Sequence, residues 1–195
     1  MSILMSSNVE GFFADAMGEA MQSRQVEVSS GTQAYLVGLL AGMASRGLDG
    51  QALGQPVTLQ FQEALGAPVG ERFERLRGLG DRTLALAGLF RDHLEAHHVD
   101  VGYVSSVGAS AYRQAGALRP VSDTRGDLFG ELAAKFSPLV AALGELAEVL
   151  FAGPATSAEG ILRVYTRWQR TGSERLGREL MTRGLMPVRP TRGVH

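Results

Sequence analysis

Three of the four histidines lie within six residues of one another, at His93, His97 and His98. In a helix His93 and His97 would share a face, because residues four apart are neighbours across one turn. Two imidazoles at that spacing can bind one metal ion, and Asp81 or Asp100 would then supply a further ligand. The pattern makes His93, His97, His98 and Asp100 the candidate site for a metal, a haem or a small ligand.

A structural role explains the same histidines. His93 and His97 continue a helical row that begins at Leu86 and Phe90, so they can form the polar end of a buried stripe. The order His-x-Glu-x-His is not the zinc metalloprotease motif, and the chain has no cysteine to supply a thiolate. We therefore predict that the protein carries no stoichiometric metal and no other cofactor.

Motifs of common active sites do not occur in the sequence. It has no phosphate-binding loop, no dinucleotide-binding glycine pattern and no nucleophile elbow. Glu145 and Glu148 are three residues apart, and we expect both to face solvent. We assign no catalytic residue, and this pattern favours a protein that is not an enzyme.

A seam of small residues is predicted between Val101 and Leu118. Gly108, Ala111 and Ala115 would lie on one face of a helix there. Glycine inside a helix costs about 1 kcal/mol relative to alanine, so we expect Gly108 to allow a close helix crossing. The alternative is a cavity for an apolar ligand, with a polar contact from one of three side chains: Tyr103, Tyr112 or His97.

The charge of the chain is divided unevenly. Residues 161–195 carry eight arginines and two glutamates, a balance of +6, whereas the preceding 160 residues carry eleven basic and eighteen acidic groups, a balance of −7. A basic end on an acidic body is typical of a protein that contacts a partner or folds back on itself. We predict a protein partner or a homo-oligomer rather than nucleic acid, because the chain has a single lysine and no nucleic-acid motif. The predicted partner-binding residues are Arg163, Arg167, Arg170 and Arg178.

Apolar residues recur at helical spacing along almost the whole chain. This predicts one all-α domain over residues 1–188, an irregular bundle of about seven to nine helices, followed by a flexible tail at 189–195.

We expect Gly78 and Gly80 to break one helix, and Asp81 to cap the next. Further helices are predicted over 82–97, 102–118 and 127–151, with Ser137-Pro138 kinking or dividing the last, and after Ser157. The predicted core consists of Leu36, Leu39, Leu40, Leu86, Phe90, Val104, Ala111, Leu132, Phe136, Leu143, Tyr165 and Trp168.

Three segments together resemble a family of uncharacterised bacterial helical proteins: LRGLGDRTLALAGLF, VDVGYVSSVGASAYRQ and LRVYTRWQRTGSERL. The resemblance covers about residues 30 to 188 and implies a bacterial, cytoplasmic setting but no activity. No apolar run approaches the roughly 20 residues of a membrane span, so we expect none.

The sequence thus favours a non-catalytic interaction, scaffold or adaptor protein that associates with itself. The alternatives are a small-ligand, haem or metal binding protein that uses the region of His93 and His97, or an enzyme whose site the sequence does not reveal.

Overall fold

The computed structural model describes residues 2–46, 55–119, 127–151, 164–166, 168–169 and 174–182. Every element in this part of the chain is α-helical, so the prediction of an all-α fold is confirmed. Among the described helices, none combines the length and the apolar character that crossing a bilayer requires. Residues 164–166 and 168–169 are also helical. The helices are α1 (Ser2–Ser23), α2 (Ser30–Arg46), α3 (Val57–Gly66), α4 (Val69–Leu89), α5 (Arg91–Ala96), α6 (Val101–Ala117), α7 (Leu128–Ala134), α8 (Phe136–Phe151) and α9 (Glu174–Thr182).

The chain divides into two compact units, residues 1–146 and 147–195. In the first unit α4 and α6 form the most extensive helix pair, α7 packs on α6, and α1 packs on α2. The prediction of one domain over 1–188, with a tail at 189–195, stays a prediction. In the second unit a small core joins Val164, Tyr165, Trp168, Leu176 and Leu180.

Helix α4 runs without interruption from Val69 to Leu89, so the predicted break at Gly78 and Gly80 is wrong. Each glycine inside a helix costs about 1 kcal/mol relative to alanine. Residues 83–89, however, are all buried, and burying a single leucine side chain stabilises a fold by roughly 1.5–3 kcal/mol. Packing therefore outweighs the local preference of the glycines, and Asp81 lies inside the helix rather than at an N-cap.

The predicted helix over 82–97 is also divided. It ends at Leu89, Phe90 takes φ −114° and ψ 32°, and α5 begins at Arg91. These angles lie outside the helical region, so α5 takes a new direction.

The predicted helix over 127–151 is divided at Lys135, into α7 and α8. This agrees with the division expected at Ser137-Pro138. Pro138 falls in the first turn of α8. Backbone N–H groups there have no acceptor within the helix, so the N–H that proline lacks is not needed. The predicted start at Ser157 lies outside the described residues.

Glycines let α4 approach its neighbours closely. A Cβ atom on Gly80 would lie 2.5 Å from the ring of Tyr112 on α6, and one on Gly88 would lie 2.4 Å from Leu143 on α8. Both distances are shorter than carbon atoms tolerate in a packed interior. The two crossings therefore require glycine.

The predicted core is confirmed. Leu39, Phe90 and Tyr165 are partly buried, and no predicted core residue is exposed. The other nine are buried: Leu36, Leu40, Leu86, Val104, Ala111, Leu132, Phe136, Leu143 and Trp168.

Replacing Gly80 with alanine should destabilise the fold by roughly 1–3 kcal/mol, because the new methyl group overlaps the buried Tyr112 ring. Urea denaturation followed by circular dichroism measures the change. Gly38→Ala is the matched control. Gly38 is an exposed interior residue of α2 where a Cβ meets nothing within 4 Å, so this variant should be neutral or gain up to about 1 kcal/mol. Equal stability of Gly80→Ala and the unchanged protein would show that the crossing is not tight.

Candidate functional site

Asp81 connects three helices of the first unit. The hydroxyls of Tyr35 on α2 and Tyr112 on α6 both donate to its Oδ1, at 2.6 and 2.7 Å. Arg77, one turn earlier on α4, lies 3.5 Å from the other carboxylate oxygen. Tyr112 is fully buried and the Asp81 side chain is only 14% exposed. The contact between them is therefore closed to a substrate.

Burial sets the electrostatics of this Asp81 network. It raises the pKa of Asp81, while hydrogen bonds from Tyr35 and Tyr112 and the charge of Arg77 oppose the rise. Burial, reinforced by the nearby Asp81 carboxylate, also raises the pKa of both tyrosines. A general acid or base needs a pKa near the working pH. These tyrosines stay protonated, so they serve as hydrogen-bond donors that hold helices together.

Aromatic rings enclose the same region. Phe129 on α7 lies edge-on to Tyr35 and Phe73, with ring centroids 5.9 and 5.4 Å away, and 6.0 Å from Tyr112. The guanidinium of Arg119 is 5.7 Å from the centroids of both Phe73 and Phe129. This separation is within the cation–π range. The rings anchor α7 against α2, α4 and α6.

Glu131 of α7 caps the start of α2. It accepts hydrogen bonds from the backbone N and Oγ of Ser29, at 3.0 and 2.6 Å, and from Thr32 Oγ1 at 2.6 Å. Lys135 Nζ lies 3.0 Å from its Oε1 and also donates to the carbonyl of Glu27. Burial acts to raise the pKa of Glu131, but these bonds prevail and lower it to about 2. The single lysine of the chain thus supports a helix cap.

The prediction that Glu145 and Glu148 face solvent is wrong. Their exposed fractions are 7% and 3%. Glu145 accepts hydrogen bonds from Ser23 Oγ at 2.8 Å and from Arg24 Nε at 2.6 Å, which joins the end of α1 to α8. Among the described residues no donor reaches the buried Oε2 of Glu148. Helical spacing places the two glutamates on one face of α8, and neighbouring elements decide that this face is buried.

The predicted histidine site lies at the end of α5. His93 is half-buried, and His97, His98 and Asp100 are exposed. The rings of His93 and His97 have centroids 4.2 Å apart, and His97 Nδ1 donates to the carbonyl of His93 at 2.8 Å. Asp100 caps α6 by accepting the backbone N–H of Tyr103. The described residues contain no group of three or more His, Cys, Asp or Glu arranged to hold a metal ion.

The predicted seam on α6 is densely filled. Gly108, Ala111 and Ala115 are buried. A Cβ atom on Gly108 would lie 2.3 Å from Thr83 Oγ1 on α4 and 2.4 Å from the ring of Phe136 on α8. Neighbouring side chains therefore occupy the space that a ligand would need at Gly108.

A cleft of about 450 Å³ opens along another side of α6. Its walls come from the start of α5, the first half of α6, the end of α7 and the start of α8. Tyr103, Tyr112 and His97, the polar contacts suggested for a cavity, are not among its described lining residues. Arg91 lies at its edge, and small residues form much of the wall, among them Gly102, Ser106, Ala109, Ala134, Ser137 and Ala141.

The predicted partner-binding arginines are described only in part. Arg163, Arg167 and Arg170 lie outside the described residues. Arg178 is exposed on α9, the helix whose Leu176 packs into the core of the second unit. Its exposure is compatible with contact to a partner.

Sequence reasoning missed both the Asp81 network and the cleft. Ser29 is a preferred N-cap residue type whose Oγ accepts the backbone N–H of Thr32 at 3.2 Å, so the sequence does signal the cap that Glu131 completes. Small residues also recur at helical spacing through Gly102, Ser106 and Ala109, beside the seam of Gly108. No sequence signal, however, distinguishes the side of α6 that is packed from the side that is open.

The chain matches no known protein-family model, no curated protein and no solved structure. The resemblance to uncharacterised bacterial helical proteins gains no support from these comparisons.

Tyr112→Phe should lower the free energy of unfolding by roughly 1.5–3 kcal/mol, because a buried carboxylate loses a hydrogen-bond donor. Tyr103→Phe is the control, since the Tyr103 hydroxyl reaches Thr58 at an exposed site. It should cost less than about 0.5 kcal/mol. Denaturation of both variants at pH 7 makes the comparison, and equal losses would contradict the role assigned to Asp81.

Glu131→Gln should weaken the acid sensitivity of the fold. The pKa of Glu131 is about 2 in the folded chain, compared with 4.5 for an ordinary glutamate side chain. A lowered carboxyl pKa contributes stability that is present above pH 4.5 and is lost as the pH falls towards 2. The variant should therefore lose on the order of 2 kcal/mol at pH 7, and less at pH 2.5. Thermal melts across this range measure the difference, with the exposed Glu27→Gln as control. If Glu131→Gln were less stable than the unchanged protein by the same amount at every pH, the lowered pKa assigned to Glu131 would be wrong.

Proposed function

We propose that this chain is a non-catalytic interaction protein that associates with a second copy of itself. The bacterial cytoplasm is the setting that the sequence resemblance favours. The observation that carries the proposal is an exposed apolar tip next to a row of self-complementary charges on α4.

The hydrogen bonds that the buried carboxylates accept support a non-catalytic role. Asp81, Glu131 and Glu145 each accept side-chain hydrogen bonds from residues far away in sequence. A catalytic carboxylate must instead reach a substrate from an accessible position. In the described part of the chain these three acidic groups connect helices.

The apolar tip consists of Leu65, Pro68 and Val69, where α3 ends and α4 begins. Val69 is 80% exposed and Leu65 is 37% exposed, and Pro68 is exposed as well. These residues are neighbours in sequence, so their exposed carbon atoms lie close together. Contiguous exposed apolar surface marks interaction sites more often than scattered residues do.

The charged row consists of Glu71, Glu74 and Arg75 on the exposed side of α4. Glu71 and Arg75 pair within the helix at 2.7 Å, with side chains 58% and 53% exposed. Such exposed pairs contribute little to stability, so Glu71 and Arg75 can exchange their contact within the helix for contacts with a second copy at little cost. In an antiparallel two-fold pairing, Glu71 of one copy would face Arg75 of the second copy, and Arg75 would face Glu71. This complementarity is what a symmetric dimer requires.

Gly78 continues the same side of α4. A Cβ atom there would meet none of the described residues within 4 Å, so this part of the chain gives no packing reason for a glycine that costs about 1 kcal/mol. A second helix backbone crossing at this point would supply that reason.

The basic end of the chain fits the same class of function. The +6 balance of residues 161–195 can bind acidic protein surface, and Arg178 is exposed there. We propose that it contacts protein, from this chain or from a partner, rather than nucleic acid.

Sedimentation velocity over roughly 1–200 µM tests self-association, with an expected dissociation constant on the order of 10 µM. Val69→Asp should keep the protein monomeric. Leu118→Asp is the matched control, because Leu118 is also exposed, at 42%, on a different helix end, and it should still dimerise.

Mixing two charge variants tests the pairing itself. Glu71→Arg gives two positive residues and Arg75→Glu gives two negative ones, so each alone should be monomeric. An equimolar mixture should form a heterodimer. A monomer at all concentrations, or a dimer insensitive to these changes, would rule out the proposed surface.

A further inference from the structure

We propose that the cleft between α5, α6, α7 and α8 binds a small apolar molecule that carries one carboxylate group. This site is separate from the α4 surface and does not depend on self-association. The shape of the cleft, its apolar floor and the charge of Arg91 all favour such a ligand.

Small residues and the helix break between α7 and α8 create the space. The first half of α6 presents Gly102, Ser106 and Ala109 to the cleft, and α7 ends at Ala134 just before the chain turns into α8. The resulting volume of about 450 Å³ falls within the roughly 300–1,000 Å³ typical of small-molecule sites.

The floor of the cleft is apolar. Phe136 and Val140 line it from α8, with exposed fractions of 2% and 8%, and Val101 lines it from α6. Ser105 also lines the cleft, but its hydroxyl hydrogen is donated to the carbonyl of Val101 at 2.7 Å. A hydrocarbon group fits this floor better than a sugar or a nucleotide, because few donors there are available to satisfy polar atoms.

Polar groups at the mouth can orient a ligand. Ser106 and Ser137 line the cleft and are exposed. Their hydroxyl groups can form hydrogen bonds with a polar group of the ligand.

Arg91 decides the charge of the ligand. Of the described residues that line the cleft, Arg91 alone is charged. Its Nε donates to Glu95 Oε1 at 2.8 Å, in a pair whose side chains are 58% and 40% exposed. A guanidinium has further N–H donors beyond Nε, and these can bind a carboxylate in bidentate fashion. The cleft is thus complementary to an apolar tail with one anionic end.

Titration calorimetry with octanoate tests the site, and octanamide serves as the neutral analogue. We expect octanoate to bind with a dissociation constant on the order of 0.1–1 mM. Octanamide should bind at least about tenfold more weakly, because it cannot make charge-assisted hydrogen bonds to Arg91. Equal affinities, or no binding of octanoate at about 10 mM, would overturn the proposal.

Arg91→Gln should weaken octanoate binding about tenfold. The matched control is Arg82→Gln, which removes another exposed arginine that is hydrogen-bonded to Gln60 and lies outside the cleft lining, and it should leave affinity within about twofold. Equal effects of the two variants would overturn the role of Arg91.

Filling the cleft gives a second test. Ala109→Leu should abolish octanoate binding, whereas Ala117→Leu, on the same helix but outside the cleft lining, should not. Thermal melts check that each variant is folded. Ala141→Leu, at an exposed position of the wall, replaces Ala109→Leu if that variant does not fold. Octanoate binding that survives in a folded, cleft-filled variant would place the site elsewhere and overturn the proposal.

Discussion

The close approach of α4 and α6 at Gly80 is the contact on which the first unit depends. The Tyr112 ring fits against α4 because position 80 has no side chain. Its hydroxyl then reaches Asp81, and the same oxygen of Asp81 accepts the hydroxyl of Tyr35. One crossing without a Cβ atom therefore fixes α2, α4 and α6 relative to one another.

The carboxylates of Asp81 and Glu131 both connect helices of the first unit, but their pKa values are shifted in opposite directions. Asp81 receives hydrogen bonds from two neutral hydroxyls in a buried setting, and burial prevails, so its pKa rises. Glu131 is less buried and receives bonds from Ser29, Thr32 and Lys135, so hydrogen bonding prevails and its pKa falls. Hydrogen-bond donors that favour the charged form must outweigh desolvation before a carboxylate becomes more acidic. Lower pH therefore relieves the cost of burying a charged Asp81, and it weakens the Glu131 cap.

Two surfaces formed by described residues, the start of α4 and the cleft beside α6, differ in chemical character. The start of α4 presents the exposed Val69 beside mixed charges, which suits a second protein surface. The cleft beside α6 presents a buried apolar floor and the single charge of Arg91, which suits a small anion with an apolar tail. Neither surface uses His93 or His97. The histidine pair that the sequence suggests as a site thus lies outside the two surfaces that we propose.

The sequence by itself determined the all-α fold, the core and the helix division near Pro138, because periodicity reports which residues share a face. It also indicated Gly108 as a residue with a packing role, since glycine inside a helix is costly. Only the tertiary structure decided what each face meets. The sequence predicts Asp81 as a helix cap, yet α4 continues through it. Burial of residues 83–89 stabilises the helix by more than Gly78 and Gly80 destabilise it. Glu145 reads as solvated, yet Arg24 and Ser23 approach it from a distance of more than 100 residues in the chain. Contacts of that kind depend on the arrangement of helices, which no local pattern encodes.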